Sequence, residues 1–553
     1  MLVAAAACAS FAVADGAAAE GRCQKRLIGH GWDLLAVRPA DVARNLDACE
    51  KLPLDGLSLA VTETLPDGTH VGYGSVMTDP AWDKAWFREE VKTLRLCASR
   101  NLTCNFLTVF GSPAKRLAWR DDAAWGRFAH NLGVAAWLAR EGHAKGLLFD
   151  AEDYRETRQF FRAPDDPPFS ETAACARRRG AQIMRSLAAE YPDITLLSFW
   201  LLSLNPAYLA DEDPRAAAAA AGDLWPAFVN GLLDALPPGA RLVDGNEHAY
   251  RYEAARNDFY LSAWRMQNRA LALVEPENRA KYQTQVLAGF GLYLDMYTNP
   301  TNAPWYFGAA DGSRLHHLRN NAAQALDAAQ EYVWVYGEKM DWIRWAGTPR
   351  EKNTTWDDAL PGFSETLAYL RAPRAWMERI VGRQRQEGTL TNLLQNGDVR
   401  SAADDRAAGF RKGAVPVGWW FWQDEKKRPG VFGTDTQNGR GDTCSLCAAG
   451  VENGCFGASV RTAPGRRYAV EVDALGSSPR VEIGWKRNGA WDWSIATSSV
   501  RLGEAGADGW RNGFGWVLVP AGADELVLML GVRQGEGERT WFDNARLYEV
   551  PVP

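Results

Sequence analysis

An excess of positive charge is missing from this chain. Its 62 Lys and Arg residues are outnumbered by 68 Asp and Glu, giving a formal net charge of -6 and a pI near 5.8. Without a basic field there is nothing to hold a phosphate backbone, so nucleic acid is not an expected partner. No stretch beyond the N-terminus approaches the roughly 20 apolar residues of a membrane span. The first apolar run is not followed by a glycine-rich phosphate loop: Gly29-His30-Gly31-Trp32-Asp33 lacks the required pattern. No Ser, Cys or His nucleophile motif is present. Cys444-Ser445-Leu446-Cys447 and Cys455 have no fourth Cys or His nearby, which argues against zinc and for a loop disulfide. No metal and no cofactor is expected, and nothing indicates an oligomeric state.

What the chain does have in quantity is tryptophan, 24 residues among 553. A flat apolar ring is costly to leave in water unless something covers it; a core is one cover and a sugar ring is another. The length calls for two or three domains. Met1 to Ala14 is apolar and Ala-rich, and Ala12-Val13-Ala14 has the small-x-small form of a signal-peptidase site. We expect residues 1–14 to be a signal peptide, the mature chain to start near Asp15, and the protein to be secreted or periplasmic. Removal of Cys8 leaves an even number of cysteines, which suits an oxidising compartment.

From Lys25 to Tyr336 short apolar runs alternate with amphipathic stretches eight times. The runs are Arg26 to Ile28, Leu57 to Val61, Asn105 to Phe110, Gly146 to Phe149, Ile194 to Trp200, Arg241 to Val243, Gln285 to Leu294 and Tyr332 to Tyr336. Eight parallel strands with helical crossovers predict an α/β fold, a (β/α)8 TIM barrel over 24–372. Pro39 fits the first turn of a helix, and Asp79-Pro80 reads as cap and first residue of a helix over Trp82 to Leu96. Val42, Leu46 and Cys49, like Phe87, Val91 and Leu94, fall on one helical face. A helical linker over 373–391 then leads into 392–553. There Gly, Trp and alternating strands such as Tyr468 to Val472, Val481 to Trp485 and Trp516 to Pro520 predict an all-β jelly-roll sandwich.

The opening Asn392-Leu393-Leu394-Gln395-Asn396-Gly397-Asp398, the step Pro416-Val417-Gly418-Trp419 and the closing Trp541-Phe542-Asp543-Asn544-Ala545-Arg546-Leu547 resemble family 4/9-type carbohydrate-binding modules. That resemblance implies a sugar context and points to Trp419, Trp420, Trp422, Trp491 and Trp493, where exposed, as glycan-stacking rings.

In a barrel of this kind the loops after the strands assemble the site. Carboxylates and aromatics gather there: His30, Trp32 and Asp33 after strand one; Asp150, Glu152 and Tyr154 after strand four; Trp200 after strand five. Strand six is followed by Asp244, Asn246, Glu247, His248 and Tyr250, strand seven by Tyr293 and Asp295, strand eight by Tyr336 and Glu338. Breaking an acetal needs one acid to protonate the leaving oxygen and one carboxylate to attack or to activate water. Glu247, Glu152, Asp150 and Glu338 are therefore the catalytic candidates. His30, Trp32, Trp200, Asn246, His248, Tyr250, Tyr293 and Tyr336 are candidate substrate-binding residues, while Asp33, Asp244 and Asp295 suit structural or contact roles. The period-two pleat would put Asp150 and Glu152 on one side if the strand continued that far.

In outline the barrel resembles retaining glycoside hydrolases, although no Asn-Glu-Pro follows strand four. Lys145-Gly146-Leu147-Leu148-Phe149-Asp150 resembles the nucleophile strand of α-galactosidase-like barrels, whose acid follows strand six; that resemblance implies an Asp150–Glu247 pair and equally permits Glu152 in place of Asp150. The expected function is an exported glycoside hydrolase cleaving an oligo- or polysaccharide. The rival readings are a catalytically inactive sugar-binding protein, or a carbohydrate lyase or metal-dependent hydrolase on the same barrel.

Overall fold

The computed structural model describes residues 25–154, 156–348, 354–399, 409–441 and 444–551. The proposed signal sequence lies outside them. Two compact units divide between Arg371 and Ala372.

The first unit is a closed barrel of eight parallel strands. They are β1 (Arg26–Gly31), β2 (Gly56–Leu59), β3 (Phe106–Phe110), β4 (Gly146–Asp150), β5 (Thr195–Ser198), β6 (Arg241–Asp244), β7 and β8 (Tyr332–Gly337). β7 comes in two pieces, Val286–Ala288 and Phe290–Tyr293. The first piece pairs with β6 and the second with β8. The break falls at Gly289, whose N–H donates to the Asp244 carbonyl at 2.8 Å, so the ring closes through one kinked strand. β8 then pairs with β1 from Arg26↔Tyr332 to Gly31↔Gly337. All eight apolar runs are strands because each is buried on both faces, by the barrel interior and by its helices.

Long helices Asp122–Glu141, Phe169–Glu190 and Arg314–Ala328 follow β3, β4 and β7. The first is capped by Asp121, which accepts from Ala124 N–H at 2.9 Å. Asp79 does not cap the helix expected over Trp82 to Leu96. It accepts from Gly72 N–H and Trp82 Nε1, while Asp83 accepts from Ala85 N–H to start a 3-10 turn ahead of Arg88–Cys97. Among the described residues no helix is long and apolar enough to cross a membrane.

The second unit opens with helix Pro373–Gln386 and continues as an antiparallel sandwich of two sheets. One sheet holds Val431–Asp435, Ser445–Ala449, Arg539–Val550, Arg467–Gly476 and Arg511–Leu518; the other holds Trp419–Gln423, Gly454–Arg461, Glu525–Val532 and Arg480–Arg487. Leu446, Val470, Val472, Ile483, Leu528, Leu530, Phe542 and Leu547 form its core. The opening and closing motifs meet through Asn392. Its amide donates to the Ala545 carbonyl at 3.0 Å and accepts from Leu547 N–H at 3.0 Å, so the paired motifs fasten the start of the sandwich segment to its last strand. The expected loop disulfide is absent: Cys447 and Cys455 lie on different sheets, and no disulfide joins them to each other or to Cys444. Trp419 is core rather than a stacking platform, with its indole N–H donating to the Gln395 carbonyl.

Candidate active site

β4 delivers Asp150 to the barrel mouth with its carboxyl group wholly buried. The strand ends there, so the pleat does not carry Glu152 to the same side. Instead the chain turns back on the carboxylate: Glu152 N–H donates to one oxygen at 2.8 Å and the Tyr154 hydroxyl to the other at 2.7 Å. Burial pushes Asp150 up to about 7 against these two donors, which favour its charged form. Glu152 is half-buried and is also pushed upward by desolvation, with Tyr154 opposing. One tyrosine therefore serves both carboxyl groups.

β6 is separated from β4 by β5. After it, Asn246 takes a left-handed conformation at φ 41° and Glu247 begins a 3-10 turn to Arg251. Glu247 is fixed by its own N–H donating to the Phe199 carbonyl at 2.9 Å. Its Oε2 is buried without a hydrogen-bond partner. Burial is the main reason its carboxyl rises to about 9, and the negative charges of Glu152 and Asp150 push in the same direction. The carboxyl groups of β4 and β6 thus act on one another across the mouth, and Glu247 holds its proton at neutral pH.

An aromatic wall stands beside them. Tyr336 stacks on His30 at 5.3 Å, Tyr293 at 5.4 Å and Tyr250 at 6.0 Å between ring centroids. Gly291 makes room for this, because a Cβ there would fall 2.7 Å from Trp334 and 2.9 Å from Tyr250. The Tyr336 hydroxyl donates to Glu338 Oε1 at 3.1 Å. Burial, and then Glu247, raise the Tyr250 phenol well above its ordinary value, so it stays protonated. His30 is buried, bonded through Nδ1 to Ser58 Oγ at 2.6 Å, and lowered by burial to about 3, which keeps it neutral. Trp32 and Tyr154, each 57% exposed, present open ring surface.

Other expected site residues stand apart. Asn246 is fully buried and turned toward a helix, its amide donating to Ser262 Oγ at 2.8 Å and to the Tyr252 hydroxyl at 3.3 Å; it braces the turn rather than meeting a ligand. His248 is exposed and its Nε2 donates to the Leu204 carbonyl. Trp200 is half-buried against the core. Asp33 accepts from Trp342 N–H and Trp345 Nε1, Asp244 from Leu201 and Ser203, and Asp295 from Glu338 N–H, so these three carboxylates hold loops. Two contacts at the mouth lie outside the sequence reading: the Tyr154 clamp on Asp150 and the approach of Arg251 to Trp305, with the guanidinium 3.8 Å from the ring centre. Tyr154 is signalled by its place two residues after Glu152. Trp305 lies in an Asn- and Pro-rich loop with no periodic signal. Among the described residues no group of three or more His, Cys, Asp or Glu is arranged to hold a metal ion.

The fold class is a TIM barrel followed by a β-sandwich. No protein-family model and no curated protein matches the sequence. Similar solved structures include the enzymatically active domain of tailspike protein 4 from bacteriophage CBA120, at 13% identity and a TM-score of 0.23, covering 29% of this chain and 21% of that one. An arabinose-bound family 51 α-L-arabinofuranosidase is similar at 14% identity and a TM-score of 0.22, covering 30% of this chain and 27% of the other. A family 16 carbohydrate-binding module is similar at 15% identity and a TM-score of 0.21, covering 28% of this chain and 99% of the module.

Proposed function

We propose that this chain is an exported glycoside hydrolase that cleaves an oligo- or polysaccharide by a two-carboxylate mechanism. The observation that carries the reading is Glu247, a buried carboxyl held protonated at about 9 and facing the field of Asp150 and Glu152. A group that keeps its proton at neutral pH is what a leaving glycosidic oxygen requires. Glu247 donates that proton as the bond to the anomeric carbon lengthens. The partner is Asp150 or Glu152, which in its ionised form attacks the oxocarbenium-like centre or takes the proton of an attacking water. Tyr154 holds that carboxylate in place and supports its charged form. Trp32 and Tyr154 offer ring faces for flanking sugars, and Glu338 lies next to the site through Tyr336 and Tyr293.

The test is release of reducing ends from a panel of plant, bacterial and algal glycans by the full chain, repeated with Glu247→Gln. Turnover by the parent protein that collapses in the variant, with folding unchanged, supports the reading. A parent protein that binds glycans and cleaves none would instead identify a sugar-binding barrel.

A further inference from the structure

The rim between β6 and β7 carries a cation with no acid to answer it. Arg251 closes the 3-10 turn that begins at Glu247, and its exposed guanidinium lies over the Trp305 ring, 3.8 Å from its centre. Of the acids near it in sequence, Glu247 is buried with its carboxyl raised to about 9 and forms no ion pair with it, while Glu253 and Asp258 both bind Arg256, at 2.6 and 2.7 Å. Arg256 in turn donates to the backbone carbonyl of Arg251 at 3.2 Å, which fixes the turn without touching its side chain. Among the described residues no carboxylate forms an ion pair with Arg251. The ring is an apolar neighbour that takes none of the guanidinium N–H groups, and a guanidinium can offer these in pairs to a carboxylate or sulfate through two parallel hydrogen bonds.

Trp305 ties this cation to the mouth. Its ring stands edge-on to Tyr250 at 6.3 Å and to Tyr293 at 5.8 Å, both part of the aromatic wall. Its carbonyl accepts from Asn299 Nδ2 at 2.7 Å, and Asn299 Oδ1 accepts from the exposed Lys339 ammonium on the β8 loop. Arg251, on the turn after β6, and Lys339, on the loop after β8, thereby both contact the loop after β7, through Trp305 and Asn299. We propose that Arg251, lying over Trp305, is the specificity residue for an anionic sugar, a uronate or a sulfated residue, bound next to the cleavage point. This deepens the hydrolase reading and takes its position relative to the reacting sugar from it.

Calorimetry with the full-length Glu247→Gln protein tests the inference. The probes are galactose and galacturonate trisaccharides, glucose and glucuronate trisaccharides, and a sulfated galactan trisaccharide. At least one acidic member should bind about ten- to a hundredfold more tightly than its neutral partner, the size of a charge-assisted hydrogen-bond pair. Arg251→Ala should erase that preference, and Arg251→Lys, which keeps the charge but not the fork, should retain part of it. Both substitutions are at an exposed position, and unchanged melting confirms folding. Equal binding within every pair, no binding of any acidic member, or a preference that survives Arg251→Ala overturns the inference. Cleavage by the parent protein is scored separately: acid preference without cleavage removes the hydrolase reading alone, and cleavage of neutral glycans without acid preference removes this inference alone.

Discussion

The Tyr154 hydroxyl donates to Asp150 at 2.7 Å while Asp150 itself is buried and raised to about 7. A donor to the ionised carboxylate lowers its pKa, so the clamp holds Asp150 closer to an active charge state than burial alone would allow. Tyr154→Phe removes the donor and leaves the ring. Asp150 should then ionise at higher pH, by about one to two units if the bond has the usual worth of one to a charged group. The acid limb of the kcat/KM profile should move up accordingly, with little change on the alkaline side. An unmoved acid limb would mean that neither of the carboxyl groups served by Tyr154 governs turnover.

With Asp150 as the partner of Glu247, these two raised carboxyl groups also set the pH range of activity. Asp150 must lose its proton and Glu247 must keep its own, with transitions at about 7 and about 9. The rate should rise through the first and fall through the second, as a bell with its plateau between them. Steady-state kinetics from pH 5 to 10 on an identified glycan checks this, and a rate that is maximal near pH 5 contradicts the assignment.

Stability should run the other way. A carboxyl whose folded pKa is raised keeps its proton in the native state after the unfolded chain has released it. Its contribution is fully present below about pH 4 and is lost as pH rises through the folded value, by up to about 1.4 kcal/mol per pH unit for each group. The parent protein should therefore melt lower at pH 8.5 than at pH 5.5. Glu247→Gln carries no titrating proton there and should show a smaller difference. Equal differences in the two proteins would show that Glu247 titrates normally.

Much of this architecture is legible in the residues, and the exceptions have physical causes. The barrel strands stand out because runs such as Gly146 to Phe149 and Tyr332 to Tyr336 are buried on both faces and must be apolar throughout. Glu247 stands out because it follows such a run. The contact between Glu152 and Asp150 does not, since it depends on a turn closing over a carboxylate after the strand has ended. Asn246 looks like a ligand-binding amide by position, but its left-handed backbone aims it at Ser262. Trp305 sits in a loop without period, and its meeting with Arg251 is a tertiary event. In the sandwich, burial separates Trp419 from its neighbours, a distinction that alternation alone blurs at an edge strand.

That separation yields the last prediction. We expect a fragment from Ala372 to Pro553 to fold alone, because it has its own core and because Arg385 on its opening helix binds Glu471 in the sandwich at 2.7 Å. Within it the tryptophans should divide by exposure. Trp419 is 6% exposed, so Trp419→Ala should cost about 3 to 5 kcal/mol of stability as a large core deletion. Trp422 is 51% and Trp493 79% exposed, the latter stacked on Trp491 at 5.3 Å. Replacing either with alanine should leave unfolding within about 0.5 kcal/mol of the parent. If the sandwich binds glycan, each replacement should weaken that binding by about 0.5 to 1.5 kcal/mol, the worth of one aromatic contact. Chemical denaturation of the three variants, followed by affinity electrophoresis in soluble polysaccharides, reads both quantities. A fragment that unfolds cooperatively, tolerates Trp422→Ala and Trp493→Ala, and is retarded by no polysaccharide would keep the folding claim and remove the stacking role from these rings.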